Sequence, residues 1–145
     1  MNNVNITGLE VTPLGGVGGD VLLKSQTNLT GSCFLLTFKY TKGYDKNIII
    51  DFGLHQGLDY SSEFNHELPF DVKSITAAIV THAHIDHCGR IPFLYNSGFE
   101  GATYFSSQES MELSFIQLED CAKLNLQEYD AKVHNFNKYR RACAE

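Results

Sequence analysis

No stretch of this sequence stays apolar for long. Across 145 residues no run approaches the roughly 18 apolar residues that a membrane span requires. The opening "MNNVNITGLEV" has neither the basic segment nor the apolar core of a secretory signal. No membrane association is expected, and the expected location is the cytoplasm. Cysteine is sparse and scattered: Cys33, Cys88, Cys121 and Cys143 include no C-x-x-C pair, which argues against a disulfide framework and against a cysteine zinc cage. They read as reduced thiols, mostly packed. Positive charge is short, with 11 Lys and Arg against 17 Asp and Glu and a formal net charge of -6. That balance disfavours a nucleic-acid binder that uses its whole surface, although a local basic groove stays open. The one basic concentration, Lys132, Lys138, Arg140 and Arg141, reads as a solvated helix face. Repeats, low-complexity tracts and linkers are missing too, and 43% hydrophobic residues are enough for one domain with a core.

What is present starts with strands. "LEVTPLGG" alternates and runs into the cluster Gly15, Gly16, Gly18 and Gly19; "SCFLLTFKY" is a second apolar run, closed by the turn residues of "TKGYDKN". The glycine cluster matches neither a P-loop nor a dinucleotide fingerprint, so a tight turn near a functional edge is expected there. "NIIIDFG" runs to Asp51 and "ITAAIVTH" to His82, both uninterrupted apolar stretches of the kind that suits strands covered on both faces. Each places polar side chains at the carboxyl end of a buried strand, the edge at which α/β sheets collect ligands.

Downstream, Ile91, Leu94 and Tyr95 have helical spacing, with Pro92 in the first turn and Gly98 as a stop. "GATYFSS" predicts a short strand, and Ser106 with Glu109 a capping box. From Met111 through Phe115, Leu118, Ala122, Leu126, Tyr129, Val133 and Phe136, apolar residues recur at steps of three or four. This predicts an amphipathic helix reaching Tyr139, its stripe serving as core.

Three of the six histidines fall within six positions, as His82, His84 and His87 with Asp86 among them. A single histidine is usually a surface or internally satisfied residue. Here, however, the cluster follows an apolar strand, where imidazoles and carboxylates without partners are costly. In an extended segment residues two apart share a face, so His82 and His84 can meet one metal ion. Asp86 and His87 fall where the chain turns into a helix and can meet a second.

H-x-H-x-D-H after "VTH" resembles the metallo-β-lactamase superfamily, an α/β fold of αββα sandwich architecture housing metal-dependent hydrolases. "DFGLHQG", "THAHIDHCGRIPFLYNSGFEGATYFS" and "LEDCAKL" further resemble its β-CASP branch of RNA-processing nucleases, and "TGSCFLL" resembles the family's second strand. The resemblance spans about Leu9 to about Arg141 and covers the N-terminal half of the sandwich, a mixed β-sheet with flanking helices, over residues 1–145. It implies that His82 and His84 bind a first zinc and that Asp86 and His87 bind a second, with Asp86 a ligand near the nucleophilic water. It also implies that Asp51 supports the site without binding metal. The two zinc ions would hold a bridging hydroxide that attacks phosphorus, giving a ribonuclease acting on RNA or single-stranded DNA.

Two departures from the family pattern follow. "GGDVLLKSQTNL" is longer than usual beside the active edge, and the family's later ligands, C-terminal half and β-CASP insert have no counterpart here. His55, His66 and His134 lack a matching context as replacements. With two ligands per metal against the three that a catalytic zinc wants, the chain alone is expected to be inactive and incomplete. It would work with a complementing chain or as a homo-oligomer. The alternatives are a non-catalytic interaction module derived from the same fold, and a hydrolase of thioesters or lactams.

Overall fold

β-Branched and aromatic residues dominate the runs that become strands, and the turn residues between them set the pairing. The computed structural model describes residues 4–16, 30–56, 65–99 and 103–124. Five strands form one mixed sheet in sequence order: β1 (Ile6–Gly15), β2 (Cys33–Tyr40), β3 (Asp45–Ile50), β4 (Ile75–Ile79) and β5 (Thr103–Phe105). β1, β2 and β3 pair antiparallel, whereas β3, β4 and β5 run parallel. Among the described residues the sheet is accompanied by α1 (Ile85–Cys88), α2 (Ile91–Asn96) and α3 (Gln108–Leu124), together with a 3-10 turn at Val72–Ser74. The expected α/β class and mixed sheet are therefore what forms. Among the described residues no helix is long and apolar enough to cross a membrane.

The core lies on one face of the sheet. Cys33, Ile49 and Ala78 point to that face and pack with Cys88, Ile91, Leu94 and Phe99, while Met111 and Phe115 of α3 close over them. On the other face the rows Val11, Leu36, Ile48 and Phe34, Ile50, Ile79, Phe105 line up across the strands. There Leu9, Val11 and Phe105 are each more than half exposed. The expectation that β3 and β4 are covered on both faces is thus corrected: Ile48, Ile50 and Ile79 are only half-buried, because among the described residues the helices pack on one side alone.

Two local expectations also shift. β4 stops at Ile79, not His82, because its neighbour β3 ends at Ile50; beyond that point Val80 N donates to Phe105 O of β5 and Thr81 N to the Asp51 side chain instead of to a neighbouring strand on the β3 side. The helix cap falls one residue later than predicted, since Ser107 Oγ accepts from Ser110 N whereas Ser106 Oγ donates to Val80 O. α2 opens with Pro92 in its first turn and ends before Gly98 at φ 105, as its spacing predicts. Gly18 and Gly19, most of the long loop, the basic cluster, His134, Cys143 and the extension of α3 to Tyr139 lie outside the described residues.

Burial pushes the Cys33 thiol up to about 12 and that of Cys88 to about 11, so both stay protonated well above the ordinary value of 9.0. Unfolding releases those protons once the pH passes 9, because the unfolded thiol ionises and the folded one does not. Stability carried by the neutral thiols is therefore complete below pH 9. Above it, each thiol costs up to about 1.4 kcal/mol per pH unit until its folded value is reached. Urea unfolding at pH 8 and pH 10 is expected to show a lower midpoint at pH 10, with a smaller drop in Cys33→Ala. An equal drop in the variant would contradict the assignment.

Candidate metal centre

β3 and β4 are parallel neighbours, so their carboxyl ends lie side by side. Asp51, the first residue past β3, takes a left-handed φ of 59, a region that aspartate tolerates better than most residues. Its N–H donates to Ile79 O at 2.8 Å, pinning the turn against the end of β4. The side chain is buried, and three donors meet its carboxylate. Oδ1 accepts from Thr81 N at 2.8 Å, Oδ2 accepts from Thr81 Oγ1 at 2.7 Å, and His87 Nδ1 lies 2.8 Å from Oδ2.

In the four-residue α1 only Ile85 O accepts from the helix's own end, from Gly89 N at 2.8 Å, and its carbonyls are also met by residues outside it. Phe52 N donates to His87 O at 2.8 Å and Leu54 N to Ile85 O at 3.0 Å, while Ser32 N donates to Asp86 O at 2.8 Å. Gly53 N in turn donates to Ser32 O at 3.0 Å, so β2, this loop and α1 form one laced unit. A side chain on Gly53 would collide with the Asp86 carbonyl. Phe52 is fully buried, and the Arg90 guanidinium sits over its ring at 4.1 Å while donating to Glu67 O.

The four predicted donors are brought together in two pairs. His82 Nε2 and His84 Nδ1 are 3.1 Å apart, close to the separation of about 3.3 Å between two nitrogens that share one tetrahedral zinc. Asp86 Oδ2 and His87 Nε2 are 3.8 Å apart, a wider pair beyond hydrogen-bond reach. The two pairs adjoin, with the His82 and His87 ring centroids 4.0 Å apart. Among the described residues no group of three or more histidine, cysteine, aspartate or glutamate side chains could hold one metal ion. The arrangement fits two half-sites, each supplying two donors.

The remaining described histidines lie apart from the cluster. His55 is buried, its backbone N–H and C=O both bonded by the Asn65 side chain, and its ring packs on Gly31 at φ 76. His66 is exposed beside Phe93. Sequence reasoning missed Thr81, whose hydroxyl lies between Asp51 Oδ2 and His82 Nδ1, the latter at 3.0 Å. The only signal was its place directly before the first histidine of the cluster.

Residues 27–111 match the model of the metallo-beta-lactamase superfamily. Among similar curated proteins, the ribonuclease TTHA0252 of Thermus thermophilus is 35% identical over 97 residues, 66% of this chain and 21% of its own. The transcription termination factor FttA of a Lokiarchaeum species is 33% identical over 95 residues, covering 61% of this chain and 14% of its own. The Integrator complex subunit 11 homolog of Dictyostelium discoideum is 30% identical over 128 residues, covering 82% of this chain and 15% of its own. The chain thus spans about a fifth or less of the length of these relatives.

Proposed function

The chain belongs to the metallo-β-lactamase superfamily, and from that membership and the paired donors beyond β4 we propose that it forms the zinc-binding edge of a hydrolase that cleaves RNA. The observation that carries this reading is the convergence of His82 Nε2 and His84 Nδ1 at 3.1 Å beside a histidine oriented by a buried carboxylate. The similarity to a ribonuclease and to termination factors supports RNA as the substrate, with single-stranded DNA the variant to be tested.

His82 and His84 would hold one zinc, and Asp86 and His87 a second. Asp51 would not bind metal. Its Oδ2 accepts the His87 Nδ1 proton, which turns the lone pair of Nε2 outward, the usual way in which a carboxylate orients a metal-binding imidazole. Bound zinc would supply acidified water and charge neutralisation on the phosphodiester. Within the protein, Asp86 Oδ2 lies 3.8 Å from His87 Nε2, and from there it would help position the attacking water.

Two donors per ion fall short of the three protein ligands that a catalytic zinc takes, so the working site would draw further ligands from polypeptide outside the described residues. The open face of the sheet favours the same view. Leu9, Val11 and Phe105 form an apolar surface that a complementing chain or a second copy would cover. Loading of the purified protein with zinc, read by elemental analysis alongside cleavage of a labelled RNA, tests both points. The expectation is substoichiometric zinc, reduced at least tenfold further in His84→Ala, and no cleavage. Zinc-dependent cleavage abolished by His84→Ala would refute the need for more ligands, and zinc content unaffected by His84→Ala would refute the metal centre.

A further inference from the structure

A hydroxyl carries one hydrogen, and the Thr81 hydroxyl stands between two groups. Asp51 Oδ2 is 2.7 Å from Oγ1 and His82 Nδ1 is 3.0 Å from it. If the hydrogen pointed at His82, an oxygen lone pair of Thr81 would face a carboxylate oxygen at 2.7 Å, which is repulsive. If it points at Asp51, the carboxylate accepts, and Oγ1 keeps lone pairs to accept a hydrogen from His82. The Thr81 backbone is held beside the same carboxylate, because its own N–H is tied to the other oxygen at 2.8 Å.

We infer that Thr81 is a positioning residue that fixes the tautomer of His82: the Thr81 hydroxyl donates to Asp51 and accepts the His82 Nδ1 proton, leaving Nε2 unprotonated toward His84. The ring is thereby set for a metal before any metal arrives. One carboxylate then governs both half-sites, His87 by direct contact and His82 through Thr81. His84 stands outside this relay and is the exposed member of its pair. The value of the relay as a metal-binding device rests on the reading of the cluster given above, but the proton arrangement itself does not.

The test is long-range proton–nitrogen NMR on the metal-free protein labelled with 15N-histidine, at one fixed pH where the imidazoles are neutral. In the wild type, His82 Nδ1 is expected in the protonated range and Nε2 in the unprotonated range. Thr81→Val keeps the shape and the backbone N–H but removes the relay. It is expected to move His82 toward the Nε2-protonated tautomer and to weaken zinc binding about 10-fold to 100-fold, the scale set by loss of an outer-shell partner. Thr81→Ser restores both. A wild-type spectrum with Nε2 protonated, or a His82 tautomer unmoved in Thr81→Val, overturns the inference; the wild-type spectrum decides even if the valine variant does not fold. The expected tautomer in a protein that binds no zinc would leave the relay standing and remove the metal-centre reading.

Discussion

Gly53→Ala is expected to be the most damaging single-methyl change in the described residues, lowering stability by about 3 kcal/mol and abolishing metal binding by Asp86 and His87. A Cβ at Gly53 would overlap the carbonyl carbon and oxygen of Asp86 and lie 2.8 Å from His87 N. These are backbone atoms of α1, so no rotamer change relieves the clash. Relief requires sliding the loop away from α1, which breaks the bonds from Phe52 N to His87 O and from Leu54 N to Ile85 O. It also disturbs Ser32, which bonds both Asp86 and Gly53. Stability and metal binding therefore fail together, because the contact that packs the loop also sets the height of the two ligands. Gly8→Ala on β1 is the control, since its Cβ would meet only Lys39 Cβ at 3.9 Å. Urea midpoints and zinc content of the two variants check the expectation. A Gly53→Ala protein with an unchanged midpoint and zinc content would show that α1 can shift freely and that the laced unit does not place the ligands.

The contrast between Gly53 and the histidines shows what a sequence makes legible. His82, His84, Asp86 and His87 were readable because ligands are chemically distinctive and close together in the chain. Their extended-then-helical placement needs only local geometry, which the structure reproduces with His84 extended and Asp86 and His87 within α1. The strands of the sheet were readable for a similar reason, since uninterrupted runs such as Ile48, Ile49 and Ile50 carry β-preference in every residue. The end of β4 was not. Val80 and Thr81 prolong the same preference, but a strand lasts only while a neighbour offers hydrogen bonds, and β3 turns away at Asp51. Ser106 and Ser107 present the same ambiguity on a smaller scale. Both are good caps by residue type, and the choice falls to Ser107 because the end of β4 claims the Ser106 hydroxyl. Gly53 and Thr81 were invisible as functional residues because their roles depend on contacts 30 or more positions away, with Asp86 and Asp51 respectively.

Replacing Asp51 by asparagine, a change of one atom at a residue that is not expected to touch metal, should lower zinc affinity about 10-fold to 100-fold. The carboxylate offers acceptors on both oxygens, and the structure uses both: Oδ1 for Thr81 N, Oδ2 for Thr81 Oγ1 and His87 Nδ1. An amide has one acceptor and one donor end. With the amide oxygen toward Thr81 N, its NH2 faces His87 Nδ1 and draws the imidazole proton to Nε2, the position where a metal would bind. With the oxygen toward His87, the NH2 opposes the Thr81 N–H, leaving a buried donor unsatisfied at a cost of about 1–3 kcal/mol. Neither orientation preserves both the fold of the turn and the metal-ready imidazole. Asparagine accepts the left-handed backbone as well as aspartate does, so the loss reports on the carboxylate and not on φ. Asp51→Gly separates the two further, since glycine suits a φ of 59 but supplies no acceptor at all. Zinc titrations of the three proteins are expected to rank wild type well above Asp51→Asn, with Asp51→Gly at or below it. An Asp51→Asn protein that binds zinc as tightly as the wild type would mean that His87 needs no carboxylate to hold its proton, and the buried position of Asp51 would then serve the turn alone.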